Sequence, residues 1–117
     1  MKVSIITVTY NSAKYVEDCI HSIIRQNYNN IEYIVVDGNS TDGTVDIIKK
    51  YSSHITKWIS EEDGGMYDAL NKGMKLATGD VVGILNSDDV LASADVISEI
   101  VNCFQQEKVD SLYGDLV

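Results

Sequence analysis

Three features of this sequence predict an α/β fold: a parallel-type sheet flanked by helices on both faces. Short runs rich in Val and Ile alternate with segments whose apolar residues recur at three- and four-residue steps. The two kinds of segment follow one another as βαβαβαβαβ, with crossovers long enough to join parallel strands. Each of the first four apolar runs also ends in a polar cluster, and a parallel sheet delivers all such ends to one edge. At 117 residues the chain reads as a single domain, 1–117, long enough for a real core.

Lys2 to Thr9 (KVSIITVT) is predicted as the first strand because β-branched residues dominate it. Tyr10-Asn11-Ser12 breaks the run and offers an N-cap. Val16, Cys19, Ile20, Ile23 and Ile24, with Tyr15 beside them, mark an amphipathic helix. After a polar turn, Ile31 to Val36 (IEYIVV) is the second strand, closed by the turn formers and caps of Asp37-Gly38-Asn39-Ser40-Thr41-Asp42-Gly43. Val45, Ile47, Ile48 and Tyr51 mark the second helix, with Lys49 and Lys50 near its negative end.

Ile55 to Ser60 (ITKWIS) alternates as a third strand and runs into Glu61-Glu62-Asp63-Gly64-Gly65. Met66, Ala69, Leu70, Gly73, Met74 and Ala77 form the next helical stripe, stopped by Gly79. Asp80 to Asn86 is the fourth strand. Ser93 is placed to cap a last helix with Val96, Ile97, Ile100, Val101 and Phe104 on its apolar face, and Val109 to Tyr113 is a final short strand. The sequence holds no repeat, no linker and no proline.

The net charge of −9 argues against nucleic-acid binding and against general attraction to anionic membranes. A polyanionic ligand would need a cation or a local basic spot. Cys19 and Cys103 lack zinc-like spacing and fall on apolar positions of helical patterns, so both are expected to be core thiols of a reducing compartment. Val3 to Val8 is too short and too early for a signal peptide, and no run approaches transmembrane length. These features lead to an expected cytoplasmic location.

The most informative stretch is Val81-Val82-Gly83-Ile84-Leu85-Asn86-Ser87-Asp88-Asp89-Val90. A buried-strand run ends abruptly in two adjacent carboxylates, which repel one another unless a cation intervenes. One or two hard oxygen ligands, with water and phosphate completing the shell, suit Mg²⁺ or Mn²⁺. The expectation is a metal–diphosphate site at Asp88 and Asp89; the plain alternative is that one of them caps the following helix.

Three α/β classes fit this length. A dinucleotide-binding fold would use Asp37 on a ribose hydroxyl, but the turn after strand one is Tyr-Asn-Ser-Ala-Lys-Tyr, with no G-x-G-x-x-G. A phospho-acceptor receiver domain would need an acidic pair after strand one and a Lys after strand five, where this chain has Thr-Tyr-Asn and Gly114-Asp115. Neither reading holds.

The third class fits throughout. Val3 to Asn11, Val35 to Thr44 and Asn86-Ser87-Asp88-Asp89 resemble the family 2 glycosyltransferases of the GT-A fold. Asp63-Gly64-Gly65-Met66-Tyr67-Asp68-Ala69-Leu70-Asn71-Lys72-Gly73 is similar to the branch of that family that assembles bacterial polysaccharides. The resemblance implies transfer of a sugar, with inversion, from a nucleotide-diphosphate sugar, UDP-linked, to a hydroxyl of a saccharide or lipid-linked saccharide. It implies that Thr9, Tyr10 and Asn11 wall the base pocket and that Asp37 accepts from the base N–H. Asn39, Asp63, Asn71, Lys72, Asn86, Ser87 and Asp88 complete the implied nucleotide-binding set. The family's Asp-x-Asp appears here as Asn86-Ser87-Asp88, making Asp88 the direct ligand of Mn²⁺ or Mg²⁺ and Asp89 a second ligand or ribose contact.

Plainer readings stand beside several of these residues. Tyr10 also reads as a strand-end core aromatic, Asp37 as a turn former, Lys72 as a solvated helix lysine, and Asp63 and Asp68 as caps. Two departures are visible: the family's common Asp-Asp-Gly-Ser is Asp37-Gly38-Asn39-Ser40, and the Pro often found before Tyr-Asn is Thr9. No general base is assigned, because the family places that carboxylate well beyond the metal motif. The chain is thus expected to be a truncated GT-A unit whose acceptor-binding part is absent, with a nucleotide- and metal-binding module lacking independent turnover as the alternative. An apolar edge beyond Tyr113 would favour a homo-oligomer, and peripheral contact with the inner face of the membrane would come through the absent part.

Overall fold

The computed structural model describes the backbone of residues 1–107 and the side chains of residues 1–105. Four strands form one sheet in the order β3-β2-β1-β4: β1 Val3–Thr9, β2 Ile31–Asp37, β3 Lys57–Ser60 and β4 Val81–Ile84. All three pairings are parallel, with Ile6 opposite Ile34 on one side and Ile84 on the other. The helices are α1 Val16–Ile24, α2 Thr44–Lys50, α3 Met66–Leu76 and α4 Val96–Glu107. The expected fifth strand, Val109 to Tyr113, lies outside the described residues.

Alternation along β1 divides the core into two layers. Val3 and Ile5 face the larger layer, where Val16, Cys19, Ile20 and Ile23 of α1, Ile48 of α2, and Ile97, Val101 and Phe104 of α4 are packed. Ile6 faces the other side, with Ile34, Val36 and Ala69 of α3. Burying each such Ile or Val stabilises the fold by roughly 1.5–3 kcal/mol before the loss of chain entropy. Gly73 lets α3 lie close on the sheet, since a Cβ there would come within 2.6 Å of Ile6 Cγ2. The stripe position Gly73 therefore marks a close approach of α3 to β1.

Helix starts are built differently from the sequence expectation. Ser12 is buried but is not the cap of α1; its carbonyl accepts from Tyr15 N and Val16 N, and Tyr15 holds the cap position without a side-chain bond. Ser93 Oγ accepts from Asp95 N just ahead of α4, while Gln26 Oε1 accepts from Ile97 N in the first turn. A buried Gln from the segment just after α1 thereby satisfies an amide that local capping leaves open. Cys19 is buried as expected, but Cys103 is exposed: it lies on the solvent side of α4, beside the buried Phe104. Met66 and Tyr15 are exposed too, so the apolar stripes of α3 and α1 are narrower than their spacing suggested.

At the N-terminal edge of the strands, Glu32 is buried at 2% exposure and clasped from several sides. Ser4 Oγ, Thr78 N and Thr78 Oγ1 each donate to it at 2.8 Å. Lys57 Nζ and Lys2 Nζ stand 3.3 and 3.4 Å away. Burial by itself opposes the charge, yet these donors outweigh it and hold the carboxyl at about 2. The clasp fixes the bottom of the sheet and leaves the opposite edge for ligands.

Candidate functional site

The C-terminal edge of the sheet is organised around Asp37. It ends β2, pairs in register with Thr9 and Ser60, and is fully buried. Thr9 Oγ1 and Ser40 Oγ donate to its Oδ1, both at 2.6 Å. Ser40 N and Ser60 Oγ donate to its Oδ2, both at 2.8 Å. Burial pushes this carboxyl up, but the bonds from Ser40, Thr9 and Ser60 prevail and hold it below the usual carboxylate range. With four donors already in place, Asp37 ties the ends of β1, β2 and β3 together.

The loops after β1 and β2 are sewn to one another by polar bonds. Asn11 N donates to Ser40 Oγ at 2.7 Å, and Asn11 Oδ1 accepts from Thr41 N at 2.9 Å. Asp42 Oδ2 accepts from Ala13 N, and Thr44 Oγ1 accepts from Ser12 N at 2.8 Å. Asn11 and Asn39 hold left-handed φ values of 48° and 67°, a conformation Asn tolerates better than most residues. Ser12 Oγ reaches Ser87 Oγ at 3.0 Å, which joins this pair of loops to the one after β4.

Between these loops lies an open cavity of about 680 Å³. Its lining includes Thr9, Tyr10, Asn39, Asp63 and Ser87 from the predicted set, together with Val8, Ser12, Gly38, Thr41, Glu62, Gly65 and Met66. Tyr10 is 67% exposed, so it is a cavity wall and not a core aromatic. Asp37 and Asn11 stand behind the lining as supports. Asn71 is exposed on α3 and outside the lining. Lys72 is engaged elsewhere: its Nζ pairs with Glu61 Oε1 at 3.0 Å and Asp68 Oδ2 at 3.6 Å and reaches Glu62 O at 3.4 Å. It clamps α3 to the preceding loop.

Asn86, Ser87, Asp88 and Asp89 form a tight turn closed by Asp89 N donating to Asn86 O at 3.0 Å. Asp88 is exposed and Asp89 half-buried, and among the described residues neither side chain has a hydrogen-bond or ion-pair partner. Neither therefore caps α4. Beneath the turn, Cys19 Sγ approaches Asn86 O at 3.5 Å. Burial pushes that thiol up, and the charges of Asp89 and Asp88 add to the effect. Two carboxylates without partners, in one turn with Asn86, are hard-oxygen groups of the kind Mg²⁺ or Mn²⁺ accepts when phosphate completes the shell. Three-carboxylate, His or Cys metal cages are absent among the described residues, so the set fits a cation shared with a ligand and not an all-protein site.

A family model described as "Glycosyl transferase family 2" matches residues 4–117. The chain belongs to this family. It is 36% identical, over 97% of its length and 46% of the relative's, to a PGL/p-HBAD biosynthesis glycosyltransferase of Mycobacterium bovis. It is 42% identical, over 74% of its length and 36% of the relative's, to the putative teichuronic acid biosynthesis glycosyltransferase TuaG of Bacillus subtilis. Among solved structures, S. aureus TarS 1-349 in complex with UDP-GlcNAc superposes with a TM-score of 0.84 at 29% identity, covering 92% of this chain and 32% of that one. The mannosyltransferase PcManGT of Pyrobaculum calidifontis, in complex with GDP-Man and Mn²⁺, gives 0.81 at 30% identity, covering 88% and 32%. The fold is accordingly that of the GT-A transferases, and the chain spans between about a third and a half of the length of these curated relatives. No helix among the described residues is long and apolar enough to cross a membrane.

The sequence missed Ser40, Ser60 and Asp42, which carry the polar frame of the site. Ser40 sits three residues after Asp37, a visible Asx-turn spacing. Ser60 had no such signal, because only the register of β3 on β2 brings it there.

Proposed function

We propose that this chain is the nucleotide-sugar-binding portion, residues 1–117, of a metal-dependent glycosyltransferase. The transferase moves a sugar from a UDP-sugar to a hydroxyl of a saccharide or lipid-linked saccharide in surface polysaccharide synthesis. One observation carries the reading: the cavity of about 680 Å³ between the loops after β1, β2 and β3, whose lining reaches Ser87, the residue that precedes the carboxylate pair Asp88 and Asp89 in the chain, although neither carboxylate lines it. Family membership and relatives named for polysaccharide and glycolipid assembly support the same conclusion.

Within it, Thr9, Tyr10 and Asn39 wall the nucleoside, and Asp88 with Asp89 hold Mn²⁺ or Mg²⁺. Held there, a cation would supply charge neutralisation for the departing nucleoside diphosphate. Asn86 supplies an oxygen without a charge, which lowers metal affinity compared with two flanking acids. The inversion expected of this family needs a carboxylate that takes the proton from the acceptor hydroxyl; that base belongs to the acceptor side. The reaction is placed in the cytoplasm, at the inner face of the membrane, where lipid-linked acceptors are met.

Calorimetric titration of UDP into the chain, with Mn²⁺ and then with chelator, tests the reading. Manganese-dependent binding that is lost in Asp88→Ala, with the variant still folded by circular dichroism, is the expected result. Absence of UDP binding in every condition, from folded protein, overturns it.

A further inference from the structure

Gly38 is the one residue of the β2 loop that forms cavity floor and is itself buried. A Cβ placed on it would stand 3.0 Å from Asp63 Oδ2 and 3.4 Å from Tyr10 Cδ1. The missing side chain therefore makes room for a carboxylate arriving from the β3–α3 loop, beside the ring of Tyr10. Asp63 is fixed there by one oxygen only: Oδ1 accepts from Gly65 N at 3.0 Å. Oδ2 has no donor among the described residues. Every buried side-chain nitrogen or oxygen described does have a partner, so the unpartnered Oδ2 is not a buried atom, and the residue that carries it lines the cavity. Asp37 presents the opposite case, with both oxygens bonded twice and no exposure.

We infer that Asp63, and not Asp37, reads the base of the nucleotide, its Oδ2 accepting the ring N3–H of uracil while Tyr10 flanks the ring and Gly38 leaves the space. This rests on the nucleotide-binding reading above and names the residue that sets its specificity. The chemistry discriminates sharply. Uracil presents a donor at N3, whereas cytosine presents a lone pair there, which would face the carboxylate acceptor to acceptor. A charge-assisted hydrogen bond of this kind contributes about 10- to 100-fold in affinity. Asp37 then acts on the base only indirectly, by holding the loop that carries Gly38.

The test is a set of Kd values for UDP, CDP and N3-methyluridine diphosphate, with Mn²⁺ present, on the wild-type chain, Asp63→Ala and Asp63→Asn. Wild type is expected to prefer UDP over CDP by about tenfold or more and to lose a similar factor on N3 methylation. Asp63→Ala should bring the three ligands within about threefold of one another, and Asp63→Asn, whose amide can donate to cytosine N3, should move the preference toward CDP. Circular dichroism and the retained manganese requirement show that fold and diphosphate site persist in both variants. An undiminished UDP preference in Asp63→Ala overturns the inference and leaves the nucleotide site standing. A wild-type chain that binds none of the three overturns both.

Discussion

Removing the charge of Glu32 should cost stability in a pH-dependent way, although the residue is remote from the ligand edge. Its carboxyl is lowered from 4.5 to about 2; burial works against that shift, and Thr78, Ser4 and Lys57 bring it about. At ~1.36 kcal/mol per pH unit, the displacement corresponds to a ceiling of ~3 kcal/mol of folded-state preference for the charged form. The partner lysines Lys2 and Lys57 are 40% and 38% exposed, so screening reduces the value to about 1–2 kcal/mol. The sign follows from the depressed folded-state value. The contribution is complete above about pH 4.5 and drains away as the pH falls toward about 2. Glu32→Gln keeps the volume and removes the charge. Urea unfolding followed by Trp58, the single tryptophan, should place the variant about 1 M below wild type at pH 7, with the gap closing as pH falls through 4.5 toward 2. A gap of constant size across that range would show that Glu32 contributes shape and hydrogen bonds but no charge term, and would refute the reasoning.

Three further outcomes follow from the same geometry. Gly73→Ala should destabilise the fold by about 1–3 kcal/mol in denaturant unfolding despite the better helix propensity of Ala, because its Cβ would meet Ile6 Cγ2 at 2.6 Å. Asp88→Ala should leave the unfolding midpoint of the metal-free chain unchanged or slightly raised, since it removes a like-charge repulsion, while abolishing the Mn²⁺-dependent rise in that midpoint with UDP. Lys72→Ala should shift UDP affinity less than about threefold by calorimetry and cost under about 1 kcal/mol of stability, as expected for a clamp to the exposed Glu61 and Asp68; a tenfold loss would make it a phosphate ligand.

Much of this architecture was legible in the sequence, and the reason is physical. Parallel strands are buried on both faces, so IITVT, YIVV and VVGI read as unbroken apolar runs, and helical stripes between them give the crossovers. Strand ends drifted by one or two residues, because hydrogen-bonded pairing stops at Ile84 and begins at Lys57, where composition continues smoothly. Capping was less legible. Gln26 meets Ile97 N from the loop after α1, distant in sequence, and no local pattern announces a tertiary cap. The exposure of Cys103 was hidden for a related reason: its spacing matches the apolar stripe, and only the packed position of α4 decides which edge of that stripe reaches solvent. At the site, residue type was legible but partnership was not. Thr9, Tyr10 and Ser87 reach the cavity as strand-end positions should, whereas Lys72 is diverted by Glu61, whose neighbouring acid is visible in the sequence without its direction.

The acidic residues make the general point, because one functional group plays three parts according to its partners. Glu32 and Asp37, near opposite ends of the same strand β2, are buried and fully supplied with donors. Each is stable as an anion only where it is, and each is spent on holding strands together. Asp63, a residue of the cavity lining, is half supplied among the described residues, one oxygen bound to Gly65 N and one without a donor, which is the state a ligand N–H requires. Asp88 and Asp89 have no donors among the described residues, carry adjacent charges, and sit on an acidic chain of net charge −9. In the proposed function, a divalent cation would be the partner that removes the repulsion, and a diphosphate the ligand that such a cation would attract. The order from sealed to open runs from scaffold to ligand edge, so donor count, more than residue type, tells which carboxylates of this chain are available for chemistry.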